Sequence, residues 1–548
     1  MKICLTGNSF RPMRPSGLIT GFAVATADLM RSFLRHSTAE EIVCLCEPES
    51  LQQEVLDKLI RESGQRRCRL VNEYELFFGA LLLPTDVDVF HSVKEDAVPL
   101  LALRERLNPG APMTFTLHCL AEQQMLSDLF LPLVLLPFRR YDAVICTSEA
   151  VRKSVDSILT QLEECWQRPG RESLRRRIRL ERVPLGVDTQ LFRPLDRAAL
   201  RAKYNIPQNA FMILWFGRFS DLFKADLMPL LHVFAQLVKD NPGKDLRLLL
   251  AGCEDGPRAY SRRLQQECAR LGLEKHVRIV YNQDIPDRTE LYCLSDVFTS
   301  PVDNIQETFG LTPVEAMACG IPQVVTDWDG YRDTVMDGET GFLLPTAWCD
   351  CLDEIAQESY MPGDGYRRRD LHRLLSARSV AVDCIAYRQR LQQLIDDPAL
   401  RARMRESSRR RAEEHYDLRS TVRQTEALWQ ELRAIAAHPD PDVPPMRLPP
   451  LDYCRSFHAY PTRWLTDETL FTLTEHGLHG QLPVKDNEAF MARYVPELQL
   501  PERLLAHLRC QGAATMQELF DAFPSVPKSQ LRRTVMFLYK YDMLRPQV

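Results

Sequence analysis

Two carboxylates flank a glycine and a helix start in the segment ETFGLTPVEAMACG, which begins at Glu307. Glu315 has a purely structural explanation, because Thr312 fits the N-cap, Pro313 the first helical position and Glu315 the capping-box position. Glu307 precedes the helix and has no such explanation. The loop around Gly310 would let backbone N–H groups approach an anion at the positive end of the helix dipole. The segment therefore predicts either a capped helix or a phosphate site flanked by two hydroxyl acceptors, as a nucleotide sugar requires.

Composition sets broad limits on the kind of protein. The chain has 548 residues, too many for one ordinary domain, and this length predicts about three domains. Apolar residues make up 45% of the chain, which allows a sizeable core. The net charge of −5 gives no global electrostatic case for binding nucleic acid.

Cysteine usage indicates the redox compartment. The 16 cysteines include no CxxC pair. Several of them lie inside apolar runs: Cys4, Cys44, Cys46 and Cys146. This pattern predicts buried, reduced thiols in a cytoplasmic protein rather than a disulfide framework. Cys349 and Cys351 form a CxC pair outside the apolar runs, which by itself is weak evidence for a metal, so the sequence predicts no metal site.

No segment predicts a transmembrane helix. The N-terminus, MKICLTGNSF, lacks the apolar stretch of a signal peptide. The apolar runs at 77–84 and 129–138 are shorter than the ~18 residues that span a bilayer. The first run is interpreted as core. The second fits either core or a face that lies on a membrane surface, so peripheral membrane contact stays open.

The fold class follows from two series of short apolar runs that alternate with helical patterns. Near-continuous apolar runs are typical of strands buried on both faces, and alternation with helices predicts parallel, doubly wound sheets. The first series comprises 2–7, 41–46, 88–93, 113–119 and 142–148. The second comprises 211–217, 246–252, 277–282, 296–301 and 322–327. We therefore expect an α/β protein with two Rossmann-like domains and a ligand at the carboxyl ends of the strands.

The limits of the domains follow from these two series and from a proline-rich segment at 438–450, which predicts a semi-rigid linker. We expect an N-terminal Rossmann-like domain over 1–190 and a second over 191–437. The second would contain an inserted segment at 347–381 and end in a charged helical tail. Residues 451–548 are predicted to form a mostly helical accessory domain.

The carboxylate pair resembles the E-x7-E signature of family 4 glycosyltransferases. Further motifs agree with that family: FGRFSDLFKADL (216–227), PLGVDTQLFRP (184–194), ICTSEAVRKSV (145–155), GIPQVVTDWDGYRDTVMDGETGFLLP (320–345) and a helical tail at 394–418. The likeness covers about residues 1 to 435. It implies the GT-B fold, in which two Rossmann-like domains face a cleft. The implied reaction is a metal-independent, retaining transfer of a sugar from a nucleotide diphosphate sugar.

The resemblance assigns roles to residues of the second half. Glu315 would accept hydrogen bonds from the ribose, and Glu307 from hydroxyls of the donor sugar. Arg218 and Lys224 would neutralise the diphosphate as charge develops on it. The backbone after Glu307 would complete the donor site, through Thr308, Phe309, Gly310 and Leu311.

The N-terminal half contributes two further predicted residues. His118, in TLHCLAEQ, occupies the family's histidine position beside the donor sugar, and Gly17 lies in the family's first glycine loop. The sequence departs from the family pattern where Ala225, rather than glycine, follows Lys224. It departs again at Leu18, where a second glycine is common. The predicted catalytic set is therefore Glu307, His118, Arg218 and Lys224.

The substrates are only partly specified. The resemblance implies no cofactor, with a UDP- or GDP-sugar as the favoured donor. The acceptor stays open among a glycan, a lipid, a small molecule and a peptide or protein. One alternative is a GT-B scaffold or nucleotide-sugar-binding protein that has lost transfer.

The C-terminal region has helix–turn–helix spacing and resembles a winged-helix module. Residues 440–548 contain 12 basic and 13 acidic side chains, whereas a DNA-reading module is normally basic. Arg532 and Arg533 would start a candidate recognition helix. Protein or peptide contact, self-association or plain packing is favoured over binding nucleic acid, which stays as the other alternative.

Overall fold

The computed structural model describes residues 1–7, 21–46, 57–58, 61, 68–72, 86–120, 125–165, 176–254, 259–281, 287–349, 351, 373–438, 453–482 and 499–547. The chain divides into two compact units. The first unit comprises residues 1–70 and 84–446, and the second comprises residues 71–83 and 447–548.

The first sheet of the larger unit has seven strands in the order β3-β2-β1-β4-β5-β6-β7. Its strands are β1 (Lys2–Thr6), β2 (Glu41–Cys46), β3 (Cys68–Asn72), β4 (Val89–Ser92), β5 (Met113–Leu117), β6 (Ala143–Cys146) and β7 (Arg179–Arg182). Its helices are α1 (Gly21–His36), α2 (Ala97–Leu107), α3 (Leu131–Leu135, extended by a π-helical turn over Leu126–Phe130) and α4 (Glu149–Cys165). From β2 to β7 every pairing in this order is parallel, so the carboxyl ends of these six strands share one edge.

The second sheet has six strands in the order β10-β9-β8-β11-β12-β13. These are β8 (Phe211–Arg218), β9 (Leu246–Cys253), β10 (Val277–Tyr281), β11 (Val297–Ser300), β12 (Gln323–Thr326) and β13 (Gly341–Leu344). The helices are α5 (Arg197–Lys203), α6 (Met228–Asp240), α7 (Ala259–Arg270), α8 (Arg288–Leu294), α9 (Leu311–Ala318) and α10 (Tyr331–Thr334). All five strand pairings of this sheet are parallel.

The two sheets confirm the predicted fold class and all ten predicted strands. Three strands of these two sheets were not predicted: β3, β7 and β13. β7 carries the sequence Arg-Leu-Glu-Arg and is partly exposed at the edge of its sheet, so it lacks the apolar run that identified the others. The predicted limits of the domains stay predictions.

Three helices follow the second sheet: α11 (Cys384–Asp396), α12 (Pro398–His415) and α13 (Leu418–Ala436). Although α13 comes after the second sheet in the chain, it packs against the first. Val422 and Trp429 of α13 belong to the same apolar cluster as Ile3 and Phe33, and the Trp429 indole donates to Thr114 Oγ1 at 2.8 Å. The end of the chain's α/β part therefore returns to the first sheet.

The segment predicted as an insertion begins and ends within a two-stranded antiparallel pair. Its strands are β14 (Thr346–Trp348) and β15 (Val380–Val382), and the residues between them are described only at 349, 351 and 373–379. In the apolar run at 129–138, Leu129, Phe130 and Leu133 are buried, whereas Leu135 is exposed, so the run contributes to the core but the membrane-surface alternative stays a prediction. In the described part of the chain, no helix is both long and apolar enough to cross a bilayer. The run at 77–84 lies outside the described residues.

The second unit has its own core around Phe471, Leu504, Leu519, Leu538 and Leu544. Its sheet has the order β17-β16-β18, from β16 (Leu470–Leu473), β17 (Ala513–Thr515) and β18 (Leu544–Gln547). Its helices are α14 (Tyr453–Ser456), α15 (Glu475–His479), α16 (Leu500–Gln511), α17 (Met516–Ala522) and α18 (Lys528–Lys540).

The winged-helix resemblance of this unit stays a prediction. The candidate recognition helix is α18, but it begins at Lys528, so Arg532 and Arg533 lie in its second turn rather than at its start. Arg532 is also engaged inside the unit, where its guanidinium bonds Asp467 at 2.7 Å and lies over the Phe520 ring.

Candidate functional site

The predicted donor residues meet where the second sheet reverses its strand order. β8 pairs with β9 on one side and with β11 on the other, so the chain turns in opposite directions after these strands. Arg218 is the last residue of β8, and Glu307 lies in the loop over 301–310 that follows β11. Such a switch point is where open α/β sheets bind ligands.

Lys224 and Glu307 form an ion pair at this point. The ammonium of Lys224 and the carboxylate of Glu307 are both mostly buried, with side chains 18% and 16% exposed. Burial alone would lower the pKa of Lys224, but the adjacent Glu307 charge raises it above its ordinary value. Arg218 is close enough for its charge to oppose that rise. The site therefore holds two cations and one carboxylate in a small, poorly hydrated space.

Glycine creates the room that Lys224 occupies. A Cβ on Gly217 would lie 2.9 Å from the Trp215 ring and 3.4 Å from Cε of Lys224. Opposite it on β9, Gly252 has φ +152° and approaches the Gly217 carbonyl so closely that a Cβ would sit 1.6 Å from that oxygen. The two glycines let β8 and β9 end tightly together and let the lysine stem pass over them.

Helix α9 begins at Leu311, two residues earlier than expected. The N-cap is Gly310 in the left-handed region, at φ +96°, with no side-chain cap, so the prediction that Thr312 is the N-cap was wrong. The Tyr331 ring fills the space where a Cβ on Gly310 would be, 2.3 Å from its Cε1. An uncapped helix start leaves backbone N–H groups for an anion.

Glu315 is not a capping residue. It is 3% exposed, and its two oxygens accept hydrogen bonds from Arg288 Nη1 at 3.1 Å and from the Tyr292 hydroxyl at 2.6 Å. The Glu315 carboxylate raises the pKa of Arg288, and burial raises that of Tyr292 well above its ordinary value. A buried carboxylate held by a cation and a hydroxyl has a fixed orientation from which its remaining lone pairs can accept further bonds.

The first sheet brings His118 to the same cleft. His118 follows β5, and its Nε2 lies 2.8 Å from the Val93 carbonyl, so Nε2 carries the proton and donates while Nδ1 is the acceptor. Burial lowers the pKa of His118, which favours the neutral ring. The Thr308 hydroxyl donates to the His118 carbonyl at 2.8 Å, and Ser148 Oγ donates to the Thr308 carbonyl at 2.8 Å. Thr308 thus bridges the two sheets.

The remaining predicted donor residues serve mainly to shape the loop. Phe309 is 2% exposed, and its ring lies against Tyr416 with centroids 5.9 Å apart. Leu311 is the first residue of α9. Gly17 lies outside the described residues, so its predicted role has no structural counterpart here. No group of three or more metal-ligating side chains occurs among the residues that the structure describes.

Sequence reasoning missed four residues of this site. Arg288 and Tyr292 hold Glu315, and Asn304 joins the Lys224 loop to the Glu307 loop. Asp329 lies near Glu307, and burial raises its pKa well above the ordinary value, with the Glu307 charge adding to the effect. The one local signal was at Asp329, which has φ +48° in an Asp-Gly step, a conformation that needs support from its surroundings.

Comparison with known proteins identifies relatives of both sheets. Residues 19–159 match the family described as Glycosyltransferase Family 4, and residues 196–357 match Glycosyl transferases group 1. A D-inositol 3-phosphate glycosyltransferase from Saccharomonospora viridis is 36% identical over 181 residues, which are 32% of this chain and 41% of that protein. One from Nocardia farcinica is 32% identical over 214 residues, 37% of this chain and 44% of that protein. The match thus spans about two fifths of these relatives' length.

Solved structures share the fold. Anabaena HepE, crystallised with UDP, has a TM-score of 0.53 at 18% identity, covering 79% of this chain and all of that one. A glycosyltransferase from Rickettsia africae has a TM-score of 0.52 at 16% identity over 79% of this chain and 98% of its own. The two sheets therefore have the GT-B fold, and their sequences resemble family 4 glycosyltransferases.

Proposed function

We propose that this chain transfers a sugar from a nucleotide diphosphate sugar to an acceptor hydroxyl. Its two α/β domains have the GT-B fold and sequences that resemble family 4 glycosyltransferases. The observation that supports this most directly is the Lys224–Glu307 pair beside Arg218 at the sheet's switch point. Charged groups that are buried together in a cleft, with a pKa shifted by a specific neighbour, are typical of a functional site.

The cations would act on the leaving group. Breaking the bond between the sugar and the diphosphate leaves negative charge on the diphosphate. Lys224, Arg218 and the free N–H groups at the start of α9 would stabilise that charge without needing to reorganise. The donor phosphates would share Lys224 with Glu307, so donor binding has to loosen the ion pair.

The carboxylates would orient the donor. Glu315, held by Arg288 and Tyr292, would accept from the ribose hydroxyls, and Glu307 from hydroxyls of the sugar. Two carboxylates on opposite sides of the scissile bond characterise the double-displacement glycosidases. Here both lie on one segment, so we assign neither as a nucleophile. Retention would come from attack on the same face, with the departing phosphate oxygen accepting the proton of the acceptor hydroxyl.

The first domain would close on the donor. His118 would lie beside the sugar, with its neutral ring fixed through Nε2 and the Thr308 bridge holding both sheets around the reacting bond. From its place in the family's first glycine loop, Gly17 would lie near the phosphate or the acceptor. A closed cleft excludes water, which otherwise competes with the acceptor. We propose that the protein works in the cytoplasm, and that the acceptor is chosen by parts of the chain other than the donor loops.

A ligand screen tests this function. Thermal shift and slow hydrolysis would be measured with UDP-, GDP-, ADP- and dTDP-sugars, for the wild type and for Lys224→Ala and Glu315→Gln. We expect one donor to raise the melting temperature of the wild type and to be hydrolysed, with a smaller thermal shift and an at least tenfold slower hydrolysis in both variants. UDP-glucose is the first donor to test because HepE has been crystallised with it.

Lys244→Ala is the matched control, because Lys244 also pairs with a carboxylate, that of Asp396, but on the surface of the same domain. It should leave donor binding unchanged. Binding without any turnover would point to the inactive scaffold instead. If no nucleotide or nucleotide sugar shifts the wild type, the proposed function is wrong.

A further inference from the structure

Asn304 joins the two loops that carry the predicted donor groups. It is 1% exposed and lies three residues before Glu307. Its side-chain Nδ2 donates to the backbone carbonyl of Lys224, and its Oδ1 accepts from the backbone N–H of Gln306 at 2.9 Å. One amide therefore fixes the main chain of Lys224 and the main chain next to Glu307 at the same time.

Two further contacts hold the same junction. Asp303 Oδ2 accepts from the backbone N–H of Asp226 at 3.2 Å, so neighbouring residues of one loop hold the other on both sides of Ala225. The Trp328 indole donates to the Asn304 carbonyl at 2.9 Å and supports the loop from β12. The position of Lys224 is thus determined by the loop after β11 rather than by β8 alone.

We infer that Asn304 is a positioning residue, which holds the ammonium of Lys224 next to Glu307 and within reach of the donor diphosphate. This inference rests on the proposed function. Asn304 itself is buried, and its acceptor and a donor are used by the protein, so it acts through Lys224. A displacement of about 1 Å of a group that must meet a ligand is enough to cost a large factor in activity.

The test separates the diphosphate from the nucleoside. Asn304→Asp keeps the acceptor for Gln306 but places an oxygen against the Lys224 carbonyl, which pushes the two loops apart. We expect UDP to bind at least tenfold more weakly to this variant, while uridine binds as it does to the wild type. Calorimetry with UDP and with uridine measures both. In a Lys224→Met background the same change should cost UDP affinity no more than about twofold, because the group it positions is already gone.

The control is Asn241→Asp, in which another buried asparagine, whose Nδ2 donates to the Leu237 carbonyl at 2.8 Å, loses the same donor elsewhere in the domain. It should change neither affinity. Asn304→Ser introduces no charge and is too short to reach both loops; it should behave as Asn304→Asp does and covers the case in which that variant fails to fold.

The outcomes distinguish this inference from the proposed function. If the wild type binds UDP but Asn304→Asp and Asn304→Ser lower uridine and UDP affinity equally, or if their effects add to that of Lys224→Met, Asn304 has only a structural role. If the wild type binds neither UDP nor any other nucleotide, the proposed function itself fails.

Discussion

At the scale of single residues, Asp303 combines burial with an incomplete set of partners. Asp303 is 9% exposed; one carboxyl oxygen accepts from the Asp226 backbone, and the other, buried, has no hydrogen-bond partner among the described residues. Burial raises the pKa of Asp303 from 3.8 to about 7, and the charges of Asp226 and Asp221 add to that rise. The folded protein therefore holds this proton more tightly than the unfolded chain does.

This gives Asp303 a predictable effect on the pH dependence of stability. Because the folded-state pKa lies above the unfolded one, Asp303 destabilises the fold progressively as the pH rises from about 4 to 7, and by a constant amount above that. Over this pH window the free energy of unfolding of Asp303→Asn should rise relative to that of the wild type, by at most on the order of 4 kcal/mol. Urea denaturation of both proteins at several pH values measures it. A difference independent of pH would contradict the prediction.

Tyr292 illustrates the cost of removing one donor from a buried carboxylate. Tyr292→Phe keeps the ring but leaves the Glu315 oxygen that it contacts at 2.6 Å without its hydroxyl donor. An unsatisfied buried polar group costs about 1–3 kcal/mol, and we expect a loss of that size in the free energy of unfolding. Urea denaturation at neutral pH checks it.

Tyr204→Phe is the control for this change, because the Tyr204 hydroxyl also donates to a carboxylate, that of Glu290, but in a partly exposed place. Water can replace the lost partner there, so the cost should stay below about 1 kcal/mol. Equal losses in the two variants would mean that burial of Glu315 is not what gives Tyr292 its importance.

At the scale of elements, the start and end of α9 depend on glycines in left-handed conformations. Gly310 precedes the helix at φ +96°, and Gly320 follows it at φ +70°, where Gly320 and Ile321 donate back to the Met317 and Ala316 carbonyls as in a Schellman motif. The helix therefore occupies a fixed stretch of chain, and this fixes where its N-terminal N–H groups point.

Gly310 and Gly338 allow backbone strain to be separated from steric clash. Both have positive φ, but a Cβ on Gly338 would meet no described atom within 4 Å, whereas one on Gly310 would overlap the Tyr331 ring. Gly338→Ala should lower the free energy of unfolding by about 1–2 kcal/mol, the cost of a left-handed alanine. Gly310→Ala should lower it further and also weaken UDP binding. If the two variants lose the same stability, the Tyr331 ring can move aside at no cost.

The strands of the two sheets and helix α9 show which parts of the structure could be predicted from the sequence and which could not. All ten predicted strands form because buried parallel strands need apolar runs that are visible in sequence, whereas β7 at an edge has no such run. The resemblance to family 4 glycosyltransferases assigned Glu307, Lys224 and Arg218 to one site, and they meet in the structure because parallel strands share a carboxyl edge. The partners of Glu315 could not, since Arg288 and Tyr292 meet it only through the packing of α8 on α9. The cap of α9 was misplaced because Thr-Pro is a common helix start, while the fit of Gly310 against Tyr331 has no local signal.

At the scale of the whole molecule, the described core residues fall into separate sets. The clusters of the first unit contain no residue beyond Leu432, and the cluster of the second unit contains residues from Leu465 onward. Every predicted donor residue belongs to the first unit. Cores that share no residues can unfold separately, so we expect two thermal transitions for the full chain.

Each transition should respond to its own perturbation. UDP should raise the melting temperature of the first unit's transition only, because a ligand stabilises the structure that binds it.

Phe471→Ala, at a fully buried position of the second core, should lower the melting temperature of the second unit's transition only and leave UDP affinity unchanged. Phe298→Ala is the matched control, since Phe298 is equally buried beneath the donor loops of the first unit, and it should lower the transition that UDP raises. Calorimetry of the three proteins with and without UDP decides the matter. Two results would contradict this prediction: weaker UDP binding by Phe471→Ala, or a rise of both transitions with UDP. Either would mean that the second unit contributes to the free energy of donor binding. Its role would then be sought in donor binding rather than in contact with an acceptor or a protein partner.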